Sequence, residues 1–290
     1  MSREIALLTN PTAGRGRARR ARDVALVRLR SVGVAVRSLE GTDPDQALSL
    51  AREQVAAGVD ALVVCGGDGM VNLGVQAVAE SEVPLGIIPA GTGNDVARYF
   101  NIPLRDPATA AERVIAGEVR TIDLARCLER YYVTVMAAGF DAIVNERANR
   151  MTWPRGQMRY NIATLVELRT FQPLPYILEM DGTVVHVSAM LVAIGNGPSF
   201  GGGLRIAEGA VLDDGLLDVV VIKPLSKFGL MRTYPKLFKG THTTHPQYQH
   251  HRVRRITVSA PGIVGYADGE RFGELPLTIE CVPRALKVLA

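Results

Sequence analysis

Two glycine-rich turns constrain the first half of this chain more than any other feature. They are Val63-Val64-Cys65-Gly66-Gly67-Asp68-Gly69 and Ile87-Ile88-Pro89-Ala90-Gly91-Thr92-Gly93-Asn94-Asp95. Each follows a short apolar run of strand type, Ala61 to Val64 and Leu85 to Ile88, and leads into a helical pattern. A strand-to-helix junction exposes backbone N–H groups that can receive phosphate oxygens, and each turn also holds an aspartate able to approach a hydrated Mg2+. Asp-Gly and Gly-Gly are also the ordinary currency of turns that bind nothing. Neither loop contains GxxxxGK[ST] or completes GxGxxG, which excludes a conventional P-loop or dinucleotide fingerprint.

The surrounding pattern alternates strand and helix up to about residue 124. Ile5 to Thr9 and Val34 to Leu39 read as strands, Arg17 to Leu29 as a helix, and Asp43-Pro44-Asp45 as the cap of a helix that stops at Gly58. Asn94 or Asp95 can cap the helix after the second loop, and Ala108 to Ala116 forms another before Gly117. Such alternation specifies a parallel sheet covered by helices, with ligands expected at the carboxyl ends of its strands. After Thr121-Ile122-Asp123-Leu124 the texture changes to strands and hairpins: Tyr131 to Ala138, Tyr176 to Met180 with Thr183 to Ile194 around Asp181-Gly182, Val219 to Ile222, Val253 to Ser259 and Leu277 to Cys281. Helical interruptions are expected near 158–168 and 226–238. The expected architecture is α/β plus β: an α/β nucleotide-binding domain over 1–124 and a mainly antiparallel β domain over 125–284.

The 290 residues are 47% apolar, enough for two cores. Three separated cysteines, Cys65, Cys127 and Cys281, make neither a disulfide framework nor a zinc site and suit a reducing cytoplasm. No apolar run reaches the ~20 residues of a membrane helix, so a lipid would be met from the water side. The net charge of +4 is uneven, with one basic cluster over Arg15, Arg17, Arg19, Arg20 and Arg22 and another from Lys236 to Arg255. Either could face anionic headgroups or be a solvated surface. Nothing resembles a nucleic-acid motif. The histidines His242, His245, His250 and His251 have no carboxylate interleaved and make a poor metal cluster. Met151 and Trp153 lie in a polar stretch where an apolar side chain could dip into a bilayer.

The residues around the glycine loops resemble the bacterial diacylglycerol kinase and lipid kinase family, whose relatives include sphingosine and ceramide kinases. The resemblance rests on Asn10-Pro11-Thr12-Ala13-Gly14, Gly66-Gly67-Asp68-Gly69-Met70-Val71-Asn72 and Pro89 to Asp95. It continues through Ile194-Gly195-Asn196-Gly197, Gly201-Gly202-Gly203, Asp213-Asp214-Gly215-Leu216-Leu217-Asp218 and Asp268-Gly269-Glu270. It implies a phosphofructokinase- or NAD-kinase-like α/β domain, a β-sandwich lipid-substrate domain, and a last strand over 285–290 that returns to the first domain. It also implies an ATP- and Mg2+-dependent transfer of phosphate to the hydroxyl of diacylglycerol, at the inner face of the membrane and in peripheral contact with an anionic surface. A second copy of the chain as partner is left open.

By the same resemblance, the nucleotide site takes in Asn10, Ser38, Gly66, Gly67, Asp68, Gly69, Met70, Asn72, Gly91, Thr92, Asn94 and Asp95. Glu270 is the general base, with Asp68 facing the metal and Asp123 assisting. Without the resemblance, Ala267 to Glu270 is a hairpin turn, and Asp95 stands equally as helix cap or metal partner. Asp214, with the carbonyls of Val211 and Leu216, would hold a structural Mg2+; as bare sequence this is a type I turn. Met70 replaces the family's threonine, Leu73-Gly74 stands where Glu commonly follows Asn, and Glu208 replaces a proline. Loss of one hydroxyl contact costs on the order of 1 kcal/mol, weakening nucleotide binding without abolishing chemistry. A different lipid alcohol, NAD, or a catalytically silent lipid- or nucleotide-binding role are the competing readings; Met70 permits the silent role, while Asp68, Asp95 and Glu270 oppose it.

Overall fold

A computed structural model of the protein describes residues 3–10, 16–139, 144, 147, 150–153, 163, 166 and 172–290. The chain forms two compact units, one of Met1–Leu124, Gly201–Gly203 and Val282–Ala290, the other of Ala125–Phe200 and Leu204–Cys281.

In the first unit, β1 (Glu4–Thr9), β2 (Ala35–Leu39), β3 (Ala61–Gly66) and β4 (Leu85–Pro89) form a parallel sheet in the order β2-β1-β3-β4. The helices are α1 (Arg17–Ser31), α2 (Pro44–Ala56), α3 (Asp68–Val78), α4 (Asp95–Tyr99) and α5 (Pro107–Ala116). Helix α1 packs on α5, and α2 packs on α3. Strand β3 is buried at every position, as expected of a parallel strand covered on both sides. Leu62, Val63 and Val64 have no exposed surface, and each contributes about 1.5–3 kcal/mol by leaving water. Helix α1 turns Ala18, Ala21, Ala25 and Leu29 inward at helical spacing. Asp43 starts α2 by accepting the Gln46 N–H, with Pro44 at the first helical position. Asp106 and Pro107 start α5 in the same way, and Gly117, at φ 70°, ends it.

The second unit is antiparallel. The strand β5 (Val119–Cys127) enters it and pairs with β6 (Arg130–Tyr132). Next come β7 (Val135–Gly139), β8 (Leu174–Met180), β9 (Thr183–Ala189), β10 (Leu191–Gly195) and β11 (Leu217–Ile222). After helix α6 (Lys227–Leu237) follow β12 (Tyr248–Val253), β13 (Arg255–Ser259), β14 (Val264–Ala267), β15 (Glu270–Glu274) and β16 (Leu277–Leu289). One sheet runs β12-β11-β10-β7-β14-β15; facing it, β9, β8, β13 and the first part of β16 pair in that order. Between them lies a core that includes Tyr176, Leu178 and Ile256 from one sheet and Val192, Ile194, Val219 and Phe272 from the other. The alternate residues Leu191, Ala193 and Val220 face a second core under Leu204, Ile206 and Ala207, so strands such as β10 are apolar at every position. The end of β16 belongs to the first unit, where Val288 pairs in parallel with Leu85.

Three expected strands differ in extent. The run Tyr131 to Ala138 is two strands, because Val133 and Thr134 donate their N–H groups to the Asp268 carboxylate instead of to a ladder. The run Thr183 to Ile194 breaks at Met190, whose N–H bonds the Ile222 carbonyl. The run Val253 to Ser259 is the end of β12 plus β13. The helix expected at 158–168 lies outside the described residues, apart from 163 and 166.

Candidate functional site

Both glycine loops lie at the carboxyl edge of the parallel sheet, joined by their backbones. The Ala90 N–H donates to the Gly66 carbonyl at 2.7 Å. A methyl group on Gly91 would lie 2.5 Å from the Gly67 Cα, and one on Gly93 would lie 2.3 Å from an Asp68 oxygen. Glycine at these two positions is therefore the condition for the loops to touch.

Asp68 welds the joint. Its Oδ2 accepts the Asn94 N–H and its Oδ1 the Asp95 N–H, both at 2.8 Å. The start of α4 is thus capped from the other loop. Asn94 stands at the cap position with φ 55° but makes no side-chain cap bond; its amide closes the loop on itself, through the Gly91 N–H and the Gly91 carbonyl at 3.0 Å each. Asp95 is not the cap either. Its Oδ2 accepts the Gly202 N–H at 2.8 Å, while its Oδ1 is buried without a partner. Burial, with the Asp68 charge adding to it and the glycine N–H groups opposing it, pushes the Asp95 carboxyl up to about 6.

The other expected nucleotide residues are spread along this edge. Thr9 pairs with Cys65, so Asn10 follows beside the end of β3. Gly69 and Thr92 are exposed, Asn72 is buried, and Met70 packs over Gly66, where its Cβ lies 2.6 Å from the position of a Gly66 methyl. Ser38 is not brought to the loops: it pairs with Leu7 on the edge strand β2, two positions before the level of Thr9. Asp123 is buried on β5, where it accepts the Arg284 N–H at 2.7 Å and ties down the returning strand.

The described residues of this unit contain no group of three metal-ligating side chains. Each oxygen of Asp68 accepts one backbone N–H from the other loop. The orphaned Asp95 Oδ1 fits a cation, since a buried carboxylate oxygen without a donor is stabilised by a cation or a cation-bound water.

Glu270 opens β15 in the second unit, where its backbone pairs with Ala267 and its side chain is exposed, without a hydrogen bond to any described residue. The tight turn before it has Asp268 at φ 51° and Gly269 at φ 84°, the type I′ geometry of two-residue hairpins. At the proposed structural cation site, Asp214 accepts the Leu216 N–H at 3.0 Å through Oδ1 and pairs with Arg252 through Oδ2. Arg252 stands opposite Asp218 in the β11–β12 register, and Asp218 bonds His250 Nε2 at 2.6 Å. Arg252 is thus the charged partner of Asp214 here, and a divalent ion held by Asp214 with the carbonyls of Val211 and Leu216 would share that carboxylate with the guanidinium. His242 is buried and bonds the Ile206 carbonyl, and His245 accepts the Gln247 N–H; these are structural partners. Sequence reasoning gave no role to Gly202, Asp268 or Arg252, because their partners are remote along the chain.

Residues 4–127 match the diacylglycerol kinase catalytic domain, and residues 134–290 match the YegS C-terminal NAD kinase beta sandwich-like domain. A diacylglycerol kinase of Mycobacterium tuberculosis (strain ATCC 25618 / H37Rv) is 45% identical over 99% of this chain and 94% of its own. One from Staphylococcus aureus (strain MRSA252) is 27% identical over 100% and 93%. The crystal structure of a diacylglycerol kinase from Bacillus anthracis strain Sterne shares the fold, with a TM-score of 0.76 at 21% identity over 99% of this chain and 96% of that one. By these matches along its whole length, the chain belongs to the diacylglycerol kinase family.

Proposed function

We propose that the protein is a lipid kinase that uses ATP and Mg2+ to phosphorylate the hydroxyl of diacylglycerol, giving phosphatidic acid. The observation that carries this reading is the buried, donor-free Asp95 Oδ1 at the junction of two glycine loops, in a chain of this family. Exposed backbone around Gly67, Gly69 and Thr92 receives the phosphate oxygens, and Asp95 engages the hydrated cation. Bound Mg2+ offsets the charge of the transferring phosphoryl group. Asp68 keeps the loops joined, so they are organised before the nucleotide arrives. Met70 contributes packing where a threonine would contribute a hydroxyl, and nucleotide affinity is correspondingly lower.

Glu270 takes the acceptor's proton. Its exposure and lack of partners suit that role, because a general base must be free to receive a proton and must reach the hydroxyl. The acceptor is taken from a membrane surface; among the described residues no helix is long and apolar enough to cross a membrane. Transfer of labelled phosphate from ATP to diacylglycerol in mixed micelles, compared with sphingosine, tests the substrate. Glu270→Gln is expected to lower turnover on the order of 100-fold or more while ATP binding persists. Near wild-type turnover in that variant would remove Glu270 from the reaction.

A further inference from the structure

We propose that Asp268 is a positioning residue for the phosphoryl transfer: it clamps the hairpin that carries Glu270 to the corner between β6 and β7. The inference rests on the reading of Glu270 as the general base. Such a base needs two opposed properties, a side chain free to take a proton and a backbone that does not wander. The turn Asp268-Gly269 divides them between adjacent residues. The Glu270 side chain has no partner among the described residues, whereas the Asp268 carboxylate has three donors.

Asp268 Oδ2 accepts the Val133 N–H at 3.0 Å; Oδ1 accepts the Thr134 N–H at 3.2 Å and the Thr134 hydroxyl at 2.5 Å. Three donors on one carboxylate leave it little capacity to act as a base itself. The corner it grips is fixed in turn. The Thr134 carbonyl accepts the Asn196 and Gly197 N–H groups at 2.9 Å each, and the buried Asn196 amide donates to the Val133 carbonyl at 3.1 Å.

The far side of the hairpin is held by the same segment. The ladder shifts between Gly265 and Tyr266, so that Gly265 pairs with Gly273 and Tyr266 with Arg271. Phe272 is thereby the extra residue of a bulge, which turns its ring inward. There it meets Tyr132 edge-on at 5.8 Å, and the Arg130 guanidinium covers it at 4.4 Å. Arg130 also donates to the Arg271 carbonyl at 2.8 Å. The residues on both sides of Glu270 are therefore anchored to 130–134, and Glu270 itself projects from the span between the anchors.

Asp268→Asn is the decisive variant. Both oxygens accept from N–H donors, so whichever way the amide turns, its NH2 group confronts a donor. The full-length protein is assayed for kcat and for the KM of ATP, together with amide hydrogen exchange of the 264–274 hairpin. A misplacement of about 1 Å costs up to about 100-fold in rate, so kcat is expected to fall 10- to 100-fold, with the KM for ATP within about two-fold. Exchange should rise in the hairpin alone. Thr134→Val removes only the hydroxyl and is expected to give a smaller fall with the same split; the double variant should fall no further than Asp268→Asn.

Unchanged kcat in Asp268→Asn, alongside a disabled Glu270→Gln, would overturn the positioning role and leave the base assignment standing. Raised exchange throughout the second unit, or an equal rise in the KM for ATP, would also overturn it by making Asp268 a general structural residue. Full turnover in Glu270→Gln would instead remove the base assignment, and the clamp's catalytic role with it. Should Asp268→Asn fail to fold, unchanged kcat in Thr134→Val would count against the proposal.

Discussion

Replacing Asp68 with alanine separates two physical descriptions of that carboxylate. As a clamp, it accepts two N–H groups at 2.8 Å from Asn94 and Asp95. Those residues are only 4% and 6% exposed, so water has poor access to the abandoned donors. Hydrogen bonds to a charged acceptor are worth about 1.5–3 kcal/mol each, which makes the loss about 3–6 kcal/mol. Removing a negative charge that opposes ionisation of Asp95 returns about 1 kcal/mol. The net destabilisation is about 2–5 kcal/mol, and for a chain of this size each kcal/mol lowers the melting temperature by about 2–4 °C. A fall near 8–10 °C is therefore expected for the protein without nucleotide or divalent ions, followed by circular dichroism. Exchange should be fastest in peptides covering 91–99. As a free group facing a cation, Asp68 would behave in the opposite way, since its loss in cation-free protein would only relieve repulsion. A melting temperature within about 2 °C of wild type, or above it, would refute the clamp. Asp68→Asn should fall between the two, because its amide oxygen can still accept one of the donors.

Two further predictions follow from titration and charge pairing. Burial raises the folded-state pKa of Asp95 from 3.8 to about 6; the folded protein binds the proton more tightly than the unfolded chain, so this contribution is full below about pH 4 and is lost as pH rises through about 6. The difference of about two units corresponds to roughly 3 kcal/mol, and melting curves from pH 4 to 7 should show a decline that Asp95→Asn flattens; an identical slope in both proteins would count against the buried carboxyl. Arg252→Met removes a half-exposed pairing with Asp214 and a guanidinium 3.9 Å from the buried Asp218, which should cost about 1 kcal/mol, or 2–4 °C. The rise in melting temperature from EDTA to Mg2+ should be the same in wild type and in Asp214→Asn, and a smaller rise in that variant would mean that a divalent ion shares the Asp214 carboxylate.

What could be read from the sequence was what is decided locally. The parallel half was legible because an apolar strand, a glycine turn and a helix follow one another within a few residues, as in β3, Gly67 and α3. Helix starts at Asp43 and Asp106 were equally local, with cap and N–H donors in one turn. The cap of α4 was not, because Asp68 reaches Asn94 across 26 positions and Asp95 across 27. Strand β12, Tyr248 to Val253, was invisible beyond its last residue, since its histidines and arginine make sense only against Asp218 and Val220 on β11.

The same distinction decides the chemistry. An aspartate beside a glycine reads equally as a cation ligand, a base or a turn, and only remote donors tell these apart. Asp68 is occupied by the second loop, Asp123 by Arg284, Asp214 by Arg252 and Leu216, and Asp268 by Val133 and Thr134. Each lowers its own energy by accepting from an N–H group, a hydroxyl or a guanidinium, and each fixes a piece of backbone in doing so. Among the acidic groups that the motifs brought forward for catalysis, Asp95 Oδ1 is buried with no donor among the described residues, and Glu270 is exposed. On the proposed reading, the first would engage a cation and the second would take a proton, the two functions that transfer of phosphate to an alcohol requires. Within its own unit, Asp68 holds the start of the helix that carries Asp95, and Asp268 holds the hairpin that carries Glu270.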